Sequence, residues 1–164
     1  MSELTLENII IREASLNDAK ILFELSNDDR VRENSINTDK IEWENHVNWL
    51  KEKIISSNYY IYLFFYDKNF IGQVKFEIED KEAIISISIV NEYRGKKLAA
   101  PMLLKGIESF LKIAKNVEKI VAYIRPENQS SIKSFNKVGF NFHEQTMIKK
   151  IKFNKYFLVS KNSE

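Results

Sequence analysis

The run Arg94-Gly95-Lys96-Lys97-Leu98-Ala99 gathers positive charge around a glycine, between a β-branched stretch, Ile87-Ser88-Ile89-Val90, and a helix-forming one. A strand that passes through a tight turn straight into a helix makes an anion site. The first amides of the helix lack internal partners and point outward, and the macrodipole adds partial positive charge. A phosphate or pyrophosphate is held well at such an end. Gly95 removes a side chain where backbone approaches the anion, and Arg94, Lys96 and Lys97 add charge. Pro101 falls near the first turn, where its missing N–H costs little. The turn is neither a Walker loop, which needs a Gly-Lys-Ser/Thr ending, nor a dinucleotide fingerprint, which needs further glycines. On its own, a glycine among basic residues is more often a plain turn.

A second set of residues could move a proton or hold an acceptor. His46 titrates near neutrality and suits a general base. It lies one helical turn after Trp43, at the edge of an apolar stripe, where a pocket mouth could be; a histidine tying helix to sheet is the plainer alternative. Ser86 and Ser88 alternate with Ile85, Ile87 and Ile89, so one strand face is core and the other is a small polar wall. Glu77 and Tyr123 are weaker candidates, with packing the default role for Tyr123.

The totals bound these readings. At 164 residues the chain fits one domain, 1–164, with an adequate core. The absence of cysteine excludes thiolate nucleophiles, disulfides and Cys-ligated zinc, and no metal site is expected. A balance of 25 basic and 23 acidic residues gives no basic face for nucleic acid. Met1 to Thr5 lacks a basic-then-apolar leader, and the most apolar run, Tyr59 to Tyr66, is too short to span a bilayer. A cytoplasmic protein with no membrane partner is expected.

These residues need elements to position them. A strand is expected over Asn8 to Arg12. A helix opens at Ser15, with Asp18 as its capping-box partner. A second helix starts near Asp39 and carries the stripe Trp43, Val47, Leu50, Ile54, which makes Trp43 a core residue. Strands Tyr59 to Tyr66, Phe70 to Glu77 and Glu82 to Val90 follow, joined by short polar hairpins. A helix from Leu98 to Lys115 ends at Asn116, a candidate left-handed residue. Then come strand Val117 to Ile124, a helix from Asn128 to Gly139, and strands starting at Phe140 and Tyr156. The sum is a mixed sheet with helices on both faces, α/β or α+β.

The turn and its surroundings resemble a known family. Arg94-Gly95-Lys96-Lys97-Leu98-Ala99 resembles the Arg/Gln-x-x-Gly-x-Gly/Ala loop of the GNAT acetyltransferase superfamily, with Lys97 where many relatives have the middle glycine. About thirty residues later, Asn128-Gln129-Ser130-Ser131-Ile132-Lys133-Ser134-Phe135-Asn136-Lys137-Val138-Gly139-Phe140 resembles its second motif, Asn-x-x-Ser-Ile-x-x-Tyr-x-Lys-x-Gly-Phe. Both motifs occur in order, and the element order matches along nearly the whole chain.

The resemblance implies a mostly antiparallel sheet whose two central parallel strands, Glu82 to Val90 and Val117 to Ile124, splay around the pantetheine arm of acetyl-CoA. The co-substrate would then contact Ile89, the Arg94 to Ala99 turn, Asn128, Ser131 and Phe135. For Asn128, helix capping is an equal alternative. Phe135 replaces the tyrosine that often protonates the leaving thiolate, so that acid role is not carried over.

The stretch Asn27-Asp28-Asp29-Arg30-Val31-Arg32-Glu33-Asn34-Ser35, with Trp43-x-x-His46-x-x-Trp49, is similar to acetyltransferases of nucleotide-linked 4-amino sugars, of the pseudaminic-acid type. That likeness implies a small-molecule amine partner, a sugar nucleotide, contacted by Arg32, Trp49, Ser86 and Ser88, with His46 as base; a homodimer is left open. Acetylation of protein N-termini, ribosomal proteins included, is the alternative within the superfamily, and a non-catalytic acetyl-CoA-binding module is the alternative outside enzymes.

Overall fold

The computed structural model describes residues 5–163; residues 1–4, most of the stretch read as lacking a leader, lie outside it. Strand β1 (Ile9–Glu13) leads through a 3-10 turn into α1 (Ala19–Ser26), followed by the short helix α2 (Asp29–Asn34) and α3 (Trp43–Ile55). Strands β2 (Tyr59–Tyr66), β3 (Asn69–Glu79) and β4 (Glu82–Ile89) form a meander. Helix α4 (Ala99–Ile113), β5 (Lys119–Ile124), α5 (Gln129–Lys137), β6 (Asn141–Ile148) and β7 (Ile151–Val159) complete the domain.

The sheet order is β1-β2-β3-β4-β5-β7-β6, antiparallel throughout except for β4 and β5. Asp67 and Lys68 close the β2–β3 hairpin with positive φ at both positions, as do Lys149 and Lys150 between β6 and β7, the twist that two-residue hairpins require. One sheet face packs on α4 through Val74, Phe76, Met102, Leu103, Ile107 and Phe110. The other packs on α1 and α3 through Leu22, Leu50, Ile61 and Leu63. Helices therefore cover both faces, as the mixed pattern requires.

Several expected boundaries move. Helix α3 starts at Trp43, because Glu42 is its extended N-cap. Its buried arc runs through His46 and Leu50, leaving Trp43 47% exposed. Trp43 is therefore a rim residue, edge-on to Phe23 at 5.2 Å, and the expected core role is corrected. The end of α4 is made by Ala114, and Asn116 is not left-handed. Strand β7 begins five residues before Tyr156, at Ile151, since the Lys149-Lys150 turn is immediate. Helix α2 was not expected at all; six residues carry too little periodicity to register.

Candidate active site

Strands β4 and β5 are paired only from Glu82–Ile84 against Lys119–Val121. Beyond Ile84 they part. The Val90 N–H donates to the Ile71 carbonyl at 2.9 Å, and Gly72 stands opposite Ile89. Antiparallel alternation therefore turns the Ile89 and Ile87 amides away from β3, toward the opening beside β5. The opening broadens into a cleft of about 750 Å³, walled by β4, the Gly95–Ala99 turn, α5 and the end of α2.

At one end of the cleft lies the turn. Gly95 has φ +73°, and beyond its own chain neighbours no atom lies within 4 Å of where its Cβ would stand. Lys97 has φ +60°, so the lysine fills a left-handed position that glycine takes at no steric cost. The first amides of α4 follow directly. Asn128 caps α5, its Oδ1 accepting from the Ser131 N–H at 3.4 Å.

Arg94 does something other than face an anion. Its Nε donates to the Ile89 carbonyl at 2.9 Å and its Nη2 to Asp28 Oδ1 at 2.7 Å. The same carboxylate caps α2, accepting from the Arg30 and Val31 amides. A single side chain thus fastens the strand end before the Gly95–Ala99 turn to the helix across the cleft.

The other end has a polar floor. Gln73 pairs across the strands with Ser88, and Lys75 with Ser86, all on the α1–α3 face. Arg32 stands above, donating to the carbonyls of Ser26, Asn37 and Asp39 and to Ser35 Oγ. Arg125, at the end of β5, donates to the Ser35 carbonyl at 3.0 Å. Burial, reinforced by the Arg32 charge and opposed by Glu77, brings the Lys75 ammonium down to about 8. Burial also lowers Arg32 from the usual guanidinium value. The lining contains Arg30, Arg32, Lys75, Arg94, Lys97, Arg125 and Lys133 and no carboxylate.

Of the expected residues, the cleft gathers Arg32, Ser86, Ser88, Ile89, Arg94, Gly95, Lys97, Leu98, Ala99, Asn128, Ser131 and Phe135. Phe135 is buried, edge-on to Phe140 at 5.0 Å. Lys96 points elsewhere, over the Tyr93 ring. Trp49 stays behind the floor, with Lys75 Nζ 5.4 Å from its ring centroid. His46 is not at the pocket mouth: it is 2% exposed, outside the lining, with Nε2 2.9 Å from the Ala19 carbonyl. That contact ties α3 to α1. Burial lowers its pKa, the Ala19 bond opposes this, and Lys75 lowers it further. Sequence reasoning missed Gln73, Lys75 and Arg125 as cleft residues, and Asp28 as the partner of Arg94. Lys75 was within reach, because it shares the strand alternation that exposes the facing serines.

A helix N-terminus at the end of two diverging parallel strands, over a backbone-lined slot, is the layout of an acyl-CoA-dependent acyltransferase. The chain belongs to the acetyltransferase (GNAT) domain family, which it matches over residues 8–141. It is 25% identical over 75 residues to a mycothiol acetyltransferase from Corynebacterium aurimucosum, a match covering 44% of this chain and 24% of that protein. Among solved structures, the spermidine N-acetyltransferase of Vibrio cholerae, in complex with CoA and spermine, superposes with a TM-score of 0.86 at 17% identity, over 96% of this chain and 98% of that one. The yncA protein of Salmonella typhimurium with acetyl-CoA gives 0.76 at 17% identity, over 93% and 94%. A GNAT acetyltransferase of Streptococcus pneumoniae gives 0.74 at 20%, over 92% and 98%. The protein is therefore an acetyltransferase, and acetyl-CoA fits as its donor: the slot offers unpaired strand amides and a basic turn of the right kind. Among the described residues, no group of three or more His, Asp or Glu could hold a metal ion, and no helix is long and apolar enough to cross a membrane.

Proposed function

We propose that this protein transfers the acetyl group of acetyl-CoA to the primary amine of a small anionic acceptor, a nucleotide-linked amino sugar. The observation that carries this reading is the cleft's charge: seven cationic side chains, of which only Arg94 is in an ion pair among the described residues, and no carboxylate in its lining. A polyamine would meet repulsion there, since like charges facing each other in a partly desolvated cleft cost free energy. A diphosphate or acidic sugar would be attracted. Arg30, Lys97 and Lys133 can serve the co-substrate's phosphates, which leaves Arg32, Lys75 and Arg125 on the acceptor side.

The chain's own residues supply orientation more than proton transfer. The turned-out amides of Ile87 and Ile89 can donate to a carbonyl oxygen as charge develops on it, with little reorganisation. The acceptor must arrive as a neutral amine, because an alkylammonium, pKa about 10.4, has no lone pair to attack with. The other product is a thiolate, whose ordinary pKa near 8.5 makes it a fair leaving group without an acid at position 135. Ser86, Ser88 and Tyr123, which line the cleft, are proposed to pass the amine's proton to water. His46 is proposed to hold α3 against α1 rather than to act as base.

The test is CoA release measured with a UDP-linked 4-amino-4,6-dideoxy sugar, with spermidine and with peptides starting in Ala or Ser. Turnover of the sugar nucleotide above the other acceptors is expected. Spermidine or a peptide as the better acceptor would overturn the assignment, and no turnover with any of them would favour a binding module.

A further inference from the structure

We propose that Lys75 is the residue that selects the acceptor's charge: its ammonium binds the anionic group of the amine substrate on the cleft floor. This rests on the reading of the acceptor as an anion. Lys75 projects from the middle of β3, opposite Ser86 on one side and Ile61 on the other. A lysine in mid-sheet is an unusual choice, because its charge is partly desolvated there. Such a residue is normally paired with a carboxylate, and none of the ion pairs among the described residues includes it.

Its surroundings define what it can bind. The ammonium rests over Trp49 from α3, a contact that steadies a cation without neutralising it. Arg32 faces it from α2 with its own positive charge, and His46 from α3 is held neutral by burial. Glu77, two residues along the same strand face, is exposed and acts only at a distance. Two cations face each other, and a bound anion would relieve their repulsion. Ser86 adds a hydroxyl beside the same point.

Because burial and Arg32 hold free Lys75 near 8, anion binding above that pH requires the lysine to take up a proton. The sign follows: affinity is full below pH 8 and falls as pH rises through it. Calorimetry on the CoA-saturated protein, with UDP-N-acetylglucosamine as a non-reacting probe, reads this directly, since bound CoA blocks the pyrophosphate turn. Wild-type affinity should fall about tenfold between pH 7 and pH 9, as a pKa near 8 dictates. Lys75→Arg, which stays charged, should bind with no such fall. Lys75→Gln should weaken binding about tenfold or more at pH 7 and lose the pH dependence, with an unchanged melting temperature confirming its fold. Equal affinity of Lys75→Gln and wild type overturns the proposal alone. A wild-type protein that neither binds the probe nor acetylates a sugar nucleotide overturns the anionic acceptor as well.

Discussion

Removing the Asp28 carboxylate should separate the two ends of the cleft, and the cost can be worked from its contacts. Oδ1 accepts from the Arg30 amide at 3.0 Å, the Val31 amide at 3.2 Å and Arg94 Nη2 at 2.7 Å. Loss of an N-cap costs about 1 kcal/mol. A hydrogen bond to a charged group contributes about 1.5–3 kcal/mol. The side chains of Arg94 and Asp28 are 18% and 26% exposed, so the lower part of that range applies. Asp28→Ala should therefore lose roughly 2–3 kcal/mol. Asn caps about as well as Asp, so Asp28→Asn should lose only the charge and cost roughly 1 kcal/mol. For a domain of this size, each kcal/mol shifts Tm by about 2–4 °C, which places the two variants several degrees apart in a thermal melt. Burial raises the Asp28 pKa, but hydrogen bonds from Arg94, Val31 and Arg30 outweigh it and the net shift is downward. A depressed carboxylate stabilises above its unfolded pKa of about 3.9 and loses that contribution as pH falls below it. Wild type should accordingly lose more stability than Asp28→Asn between about pH 5 and pH 3. Equal melts for the Ala and Asn variants, or a loss under about 0.5 kcal/mol in Asp28→Ala, would refute the clamp.

Other perturbations follow from single contacts. In Gly72→Ala the new Cβ would stand 2.3 Å from the Ser88 carbonyl oxygen and 2.9 Å from Met102 Cε. Backbone cannot yield as a side chain can, so destabilisation should reach or exceed the roughly 3 kcal/mol upper range of overpacking, read by urea titration. Lys97→Gly relieves a left-handed residue and should gain up to about 1 kcal/mol, yet it removes a cation from the cleft and should weaken acetyl-CoA binding in calorimetry. His46→Ala should cost about 2–4 kcal/mol through lost packing and a lost buried hydrogen bond. Its kcat–pH profile should keep any acid limb of the wild type; loss of a limb lying below pH 6.5 would restore histidine as the base. Because burial holds His46 neutral, folded stability in wild type should also decline as pH drops below about 6.5.

The turn proposed to hold the co-substrate was legible in sequence because backbone makes it. A glycine, a left-handed position and a helix start are local events, and Gly95, Lys97 and Ala99 lie within one turn. The acceptor half depends on which strand faces which helix, and local pattern does not encode that. Trp43 and His46 illustrate the loss: both sit on one helix, and a small rotation of its buried arc exchanged their expected roles. Arg94 failed differently. Its charge was read as serving the anion turn, but in the structure it is spent on Asp28, 66 residues away. A two-residue step in strand β3 placed Gln73 and Lys75 with the serines of β4, a register only the folded sheet fixes.

The brief pairing of β4 with β5 also has a mechanical meaning. Strands β1 to β4 make one blade and β5 to β7 another, and three residues on each side of the seam join them in sheet register. Few ladder bonds cross that line, so the blades can part there without unravelling either one, the pattern of a sub-global opening. A pantetheine arm seated in the gap would splint the two blades, replacing the strand bonds they do not share. Amide exchange should then slow on both sides of the seam when acetyl-CoA binds, while the hairpins at the sheet edges, Asp67-Lys68 and Lys149-Lys150, keep their rates.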